Sequence, residues 1–199
     1  MTDADLLGQV QALFERSIAV KKDVASNHAS AIVEIARALV RSLLGGGKIL
    51  LCGNGGSAAD AQHLAAEMLV RLRPHINRDA LPALSLATDM SSVTACANDY
   101  TYDAFFERMV NALGRPADVL IAITTSGRSQ SIVRALHAAR ARGMTTVGLL
   151  GGDGMPALDD CDIALVVPSV ETGRIQESHI TAGHAMLELV ENLWLKEHG

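Results

Sequence analysis

Lys48-Ile49-Leu50-Leu51-Cys52-Gly53-Asn54-Gly55-Gly56-Ser57 is the stretch on which the fold turns. Residues 48–52 form a short apolar run, the mark of a strand buried in a parallel sheet. A glycine loop follows, and Ser57 is placed to cap a helix that runs to about Arg71. Strand, glycine turn and helix in this order make the opening of an α/β unit.

The alternation continues downstream. Residues 73–81 are polar connection, and residues 82–87 (PALSLA) read as a second strand. Helical segments follow at about 91–97 and 102–113. Residues 118–124 (DVLIAIT) are a third strand, leading through Thr125-Ser126-Gly127-Arg128-Ser129 into a helix over 130–142 that Gly143 ends. Strands at 145–150 and 163–167 precede a long closing helix over about 172–196. Upstream, residues 5–44 read as helix. Leu6, Val10, Leu13 and Ile18 mark one apolar face, and Ile32, Ile35, Ala36, Leu39, Val40 and Leu43 mark another. A break lies at 25–28, where Ser26 or Asn27 is placed to cap a second helix.

The class that follows is α/β, a doubly wound open parallel sheet of about five strands in flavodoxin-type order with extra N-terminal helices. Residues 1–199 form one domain, with 1–44 integral to it and to an oligomer. Composition supports the oligomer: 49% of residues are hydrophobic but only 3% aromatic. So aliphatic a chain has more apolar surface than one small core readily buries, although a tightly packed monomer is the plainer alternative. The net charge of −5 leaves no electrostatic footprint for nucleic acid. Cys52, Cys96 and Cys161 are odd in number and widely spaced, which points to a reducing compartment rather than a disulfide framework. The N-terminus has no apolar signal core and no run approaches a membrane span. A soluble, cytoplasmic protein is expected.

In such sheets ligands sit at the carboxyl ends of the strands, at the switch point. Thr124-Thr125-Ser126-Gly127-Arg128-Ser129 offers four hydroxyls and the free N–H groups of a helix start. That makes a phosphate cradle without Mg²⁺ or a Walker lysine. A plain helix cap would need only one of those hydroxyls. Gly53-Asn54-Gly55-Gly56-Ser57-Ala58 also fits the dinucleotide pattern GxGxxA, but the acidic partner expected about 20 residues on is missing. The loop is therefore read as a sugar-hydroxyl contact.

His63, Glu67 and Arg71 follow at spacings of four and share one helix face. His and Glu so placed can ligate a divalent metal or act as an acid–base pair, but spacing alone favours a solvated face with a Glu–Arg pair. Gln176, His179 and His184 lie among the apolar residues of the last helix, and each needs a partner or a function there. Gln176 and His184 are ~12 Å apart along the axis. They reach one point only if it lies between them with both side chains extended, or if neighbouring subunits contribute.

The segments 52–63 (CGNGGSAADAQH), 97–100 (ANDY), 125–127 (TSG) and 174–179 (RIQESH) together resemble the phosphoheptose isomerase family, of the sugar isomerase (SIS) domain superfamily. The resemblance covers nearly the whole chain. It implies conversion of sedoheptulose 7-phosphate to D-glycero-D-manno-heptose 7-phosphate through an enediol, in making heptose precursors of bacterial surface polysaccharide such as lipopolysaccharide. It also implies a homotetramer and one zinc per subunit. By this resemblance Asn54, Gly55, Gly56, Asn98, Asp99 and Gln176 contact substrate, and Thr124, Thr125, Ser126 and Ser129 hold its phosphate. His63, Glu67, Gln176 and His184 match zinc ligands. Glu67, which also contacts substrate, and His184 match the catalytic pair, base and acid. Two positions depart from the family pattern: Thr124 stands where Ser is usual, and Arg128 where Asn or Lys is common.

Two rivals remain. Some relatives are non-catalytic tetramers that bind a replication initiator, but they lack the glutamate that Glu67 matches. The other rival is an isomerase of a different sugar phosphate.

Overall fold

The computed structural model describes residues 1–198. Helix α1 (Asp3–Asn27) and α2 (Ala29–Leu44) precede β1 (Ile49–Gly53), α3 (Gly56–Leu69) and β2 (Ala83–Ser85). Then come α4 (Met90–Asp99), a 3₁₀ turn at Tyr102–Ala104, α5 (Phe105–Leu113) and β3 (Val119–Thr124). The chain continues through α6 (Gln130–Ala141), β4 (Thr145–Gly151), a 3₁₀ turn at Ala157–Asp160, β5 (Ile163–Val167) and α7 (Thr172–His198). The sheet runs β2-β1-β3-β4-β5 with every pair parallel, the flavodoxin-type order expected.

Successive strand residues point to opposite faces, and here both faces are covered. Ile49, Leu51, Val119, Ile121 and Ile123 pack with α2, α3 and α7 on one side. Leu50, Cys52, Leu120 and Ala122 pack with α4, α5 and α6 on the other, around Phe105 and Phe106. This is why β1 reads as an unbroken apolar run: all five of its residues are buried. The order reverses between β1 and β3, so the loops after these two strands meet at the switch point.

Several local expectations are corrected. Neither Ser26 nor Asn27 caps α2; His28 holds that position without a side-chain cap, and the Asn27 amide donates to Asp23 instead. Gly55, not Ser57, stands at the start of α3, and Ser57 is buried inside its first turn. That helix ends at Leu69, so Arg71 leaves the face it was placed on. β2 is only three residues long and lies at the sheet edge, with Leu84 exposed; the Ile49 N–H to Pro82 carbonyl and Leu86 N–H to Leu51 carbonyl bonds extend its pairing on either side.

α1 begins with a capping box. The Thr2 hydroxyl accepts from the Asp5 N–H and the Asp5 carboxylate accepts from the Thr2 N–H. Yet α1 buries only Val24. Leu6, Leu7, Val10, Leu13, Phe14 and Ile18 stay exposed on the isolated chain. No helix among the described residues is long and apolar enough to cross a membrane. The three cysteines are free.

α7 is tied to the sheet by His179. Its Nε2–H donates to the Leu150 carbonyl at 2.9 Å, while Nδ1 is buried without a partner. Burial pushes this imidazole down from 6.5 to about 4, against the pull of that hydrogen bond. The unfolded chain therefore takes up the proton first. Stability is unaffected by this group above pH 6.5 and falls as pH drops from there toward about 4. We expect thermal melts of the wild type to decline over that interval and His179→Gln, less stable at neutral pH, to decline less. Parallel slopes for the two proteins would show that His179 carries none of the acid sensitivity.

Candidate active site

The glycine loop after β1 and the hydroxyl loop after β3 enclose a cavity of about 190 Å³ at the switch point. Asn54 and Ser57 line it from one side, and Thr124, Thr125, Ser126 and Ser129 from the other. Gln176 closes it from α7. Ser129 occupies the N-cap position of α6, but its side chain makes no cap bond. Its hydroxyl instead accepts from the Asn54 amide at 2.7 Å. A plain helix cap therefore does not explain these hydroxyls. The Ser126 hydroxyl accepts only a long bond of 3.2 Å from the Arg128 N–H. Arg128 itself turns to Asp153 on the surface, at 2.7 Å.

Asn54 is the brace between the loops. Its amide donates to Ser129 and, at 2.9 Å, to Ser131, while its carbonyl oxygen accepts from the Tyr102 hydroxyl. Sequence reasoning missed Tyr102 and Ser131. The available signal for Tyr102 was its place just after the 97–100 segment in a chain with two tyrosines.

Gln176 reaches the cavity because Gly56 has no side chain. A Cβ there would lie 2.4 Å from the Gln176 amide nitrogen. Two turns further along both helices a second close approach occurs. A Cβ on Gly183 would lie 2.7 Å from Cδ2 of Leu64, which is fully buried. Beside that contact His63 Nε2 and His184 Nε2 face each other at 2.8 Å, with ring centroids 5.1 Å apart and planes at 67°. One nitrogen must carry the proton and the other accept it. Glu67 Oε1 stands 3.7 Å from the same His63 nitrogen. The solvated Glu–Arg face is thus not what this helix presents: Glu67 faces the histidines.

Asp60, one turn before His63 and Leu64, was not singled out by the sequence. Its carboxyl is half-buried with Oδ2 unpartnered. Burial pushes its pKa up, and the nearby His63 pulls it down. Asn98 and Asp99 do not join the cavity. They lie exposed at the end of α4, bonded to each other at 2.8 Å, and Asp99 borders a separate cleft of about 690 Å³ between α4 and α5.

The donors present are of the types that hold a divalent ion. Two nitrogens on one tetrahedral zinc sit ~3.3 Å apart, from bonds of ~2.0–2.1 Å. The 2.8 Å histidine pair would need to open only slightly to match. The set is not a ready cage, since no group of three or more His, Cys, Asp or Glu among the described residues is arranged to hold a metal ion. Gln176 lies with the hydroxyl loop in this structure.

The SIS domain family matches residues 13–151. A phosphoheptose isomerase from a Roseiflexus species is 51% identical over 183 residues, 92% of each chain. The solved phosphoheptose isomerase of Neisseria gonorrhoeae is 42% identical and superposes with a TM-score of 0.88 over 94% of this chain and 99% of that one. That of Francisella tularensis is 36% identical, with a TM-score of 0.90 over 96% and 100%.

The cavity leads to a direct expectation for phosphate. Ser126→Ala should leave the fold intact and raise the KM for a sugar phosphate. Losing one hydrogen bond to a charged oxygen costs about 1.5–3 kcal/mol, or about 10- to 150-fold. Unchanged KM and turnover would place the phosphate elsewhere.

Proposed function

The chain belongs to the SIS domain family and, within it, to the phosphoheptose isomerases, and on that premise we propose that it interconverts sedoheptulose 7-phosphate and D-glycero-D-manno-heptose 7-phosphate. The observation that carries this reading is the pair of α3–α7 contacts. Gly56 meets Gln176 at the hydroxyl cavity, and His63 meets His184 seven and eight residues later. Those residues span ~11–12 Å of parallel helix. That length suits an extended sugar with its phosphate at one end and its carbonyl at the other.

Ketose–aldose isomerisation moves a proton between adjacent carbons through an enediol. A base must take a weakly acidic C–H proton, and an acid must steady the oxyanion that develops. Glu67 is the base: its carboxylate is partly exposed and set beside His63. It removes the proton from one carbon and returns it to the next. His184 is the acid, giving its ring proton to the carbonyl oxygen as the enediol forms and taking one back from the neighbouring hydroxyl as that oxygen becomes the new carbonyl. His63, hydrogen-bonded to that ring, fixes its orientation. The hydroxyl loop and the N-terminus of α6 hold the phosphate. Asn54, Gly55, Gly56 and Gln176 contact the sugar. His63, Glu67 and His184 would hold zinc, which would supply a Lewis acid for the same oxyanion; Gln176, expected as a fourth ligand, lies two turns away at the hydroxyl cavity and does not join them in this structure. A ring nitrogen spent on metal has no proton to give, so metal binding and acid catalysis by His184 exclude each other at that atom.

The uncovered apolar face of α1 supports self-association, and a homotetramer is what the family resemblance implies. Three widely spaced free cysteines favour the cytoplasm, and heptose precursors for lipopolysaccharide or a similar surface polysaccharide are the expected destination of the product.

Two outcomes test this. Glu67→Gln should lower turnover by ~10²–10⁴ while sugar-phosphate binding persists. Metal analysis of both forms reveals whether the same carboxylate also holds zinc. Turnover near the wild-type rate would remove Glu67 from the role of base. Sedimentation at micromolar concentration should show a tetramer, and a stable monomer there would defeat the assembly.

A further inference from the structure

α3 stops two residues after Glu67. A helix end leaves its last carbonyls without partners inside the helix. Here one side chain takes up two of them. Arg78 Nη2 donates to the Glu67 carbonyl at 2.8 Å, and Nη1 donates to the Met68 carbonyl at 2.9 Å. The Arg78 side chain is only 2% exposed.

Its third nitrogen is aimed elsewhere. Nε donates to Glu191 Oε1 at 3.0 Å, and Glu191, on α7, is 1% exposed. The same carboxylate accepts from Arg73 Nε at 2.8 Å and from the Leu72 N–H at 3.2 Å. Arg73 continues to Asn192 Oδ1 at 2.7 Å. Burial alone would push the Glu191 carboxyl up, but the bonds from Arg73, Leu72 and Arg78 outweigh it and hold it below the ordinary carboxylate range.

A buried cluster of two guanidinium groups on one carboxylate is a poor choice for stability alone, since well-packed apolar residues serve as well. What it adds is direction. A guanidinium is a flat, rigid fork whose donors point along set lines. The fork is fixed at its root by Glu191 and reaches the main chain of Glu67 with its tip. Glu191 lies seven residues beyond His184 on α7, two turns along the same face. One helix thus holds Glu67 from two sides. His184, through His63, faces its carboxylate, and Glu191, through Arg78, grips its carbonyl.

We infer that Arg78, oriented by Glu191, is a positioning residue that holds the Glu67 backbone, and with it the base, in line with the substrate carbon. The inference rests on the reading of Glu67 as base. It touches no part of the phosphate cavity, so it separates turnover from binding.

The test is steady-state kinetics of Arg78→Lys with unlabelled substrate and with substrate deuterated at the transferred position. Lys keeps the charge but has no planar fork to span two carbonyls. A misplaced base slows proton transfer, and displacement by about an ångström costs ~10²-fold. The expected result is a kcat reduced about 100-fold, an unchanged KM and an enlarged primary isotope effect in folded protein. Glu191→Gln, close in shape, should show the same pattern more weakly and serves where Arg78→Lys does not fold. An unchanged kcat overturns the inference. So does a loss of activity that follows only the loss of folded protein with the isotope effect unaltered. Glu67→Gln run beside them keeps the two readings apart. If Glu67→Gln is inactive while Arg78→Lys turns over normally, only the positioning role fails. If Glu67→Gln stays active, the base assignment fails first.

Discussion

The closeness of α3 to α7 is the constraint on which the site depends, and two missing side chains set it. Gly56 and Gly183 each face the partner helix so closely that a Cβ would displace a side chain, the Gln176 amide at the first and Leu64 at the second. At Gly183 the obstacle would be Leu64, which is fully buried and has no free volume to turn into. Both helices also pack on the same face of the sheet, so neither can tilt away without opening the core between them. Gly183 adjoins His184 in the chain, and Leu64 adjoins His63. The close backbone approach at that contact therefore brings the two imidazoles within reach of each other. The hydrogen bond between them then sets their 2.8 Å separation.

Two helix starts meet where the sheet order reverses. α3 begins at Gly56 after β1, and α6 begins at Gln130 after β3, so the positive ends of both helices lie near one cavity. The hydroxyls there are neutral donors, and the nearest cation in the loop, Arg128, is paired with Asp153 at the surface. A phosphate held there, as proposed, would be recognised by many directed donors and by oriented backbone. That fits a net-acidic chain which does not gather anions by its overall charge.

Much of this was legible in the chain because it is local. The run at 48–52 declares a strand buried on two faces, and Gly53–Gly56 declares the turn; the five strands follow from the same alternation. The density of hydroxyls at 124–129 declares the cavity. What stayed hidden depends on contacts distant in sequence. Ser57 looks like a cap, but the chain's entry at Gly55 turns it into the interior. Arg71 has the spacing of a helical partner for Glu67, but the helix stops first, and the arginines that matter are Arg73 and Arg78, more than a hundred residues from Glu191. No periodicity announces Tyr102 on Asn54. Recognition of the family motifs named Glu67 and His184, whereas spacing alone pointed to a solvated face. The contact between His63 and His184 bridges 121 positions and needs the fold to exist.

The division of tasks between loops and helices follows from how precisely each must be placed. Anion binding by several hydrogen bonds tolerates small displacement, because each bond is worth little and the set can readjust. A loop is adequate for that, and Thr124 in place of the family's usual Ser keeps the hydroxyl that matters. Proton transfer from carbon is less forgiving, since the rate falls steeply once base and acid leave their line with the reacting atoms. The proposed base and acid, Glu67 and His184, accordingly sit on helices clamped together, at Gly183 on one side of the pair and through Glu191 and Arg78 on the other. The same reasoning accounts for charge buried at Glu191. A hydrophobic contact there would hold the helices together but leave α3 free to slide or fray at its last turn. Two carbonyls gripped by one guanidinium leave it neither freedom.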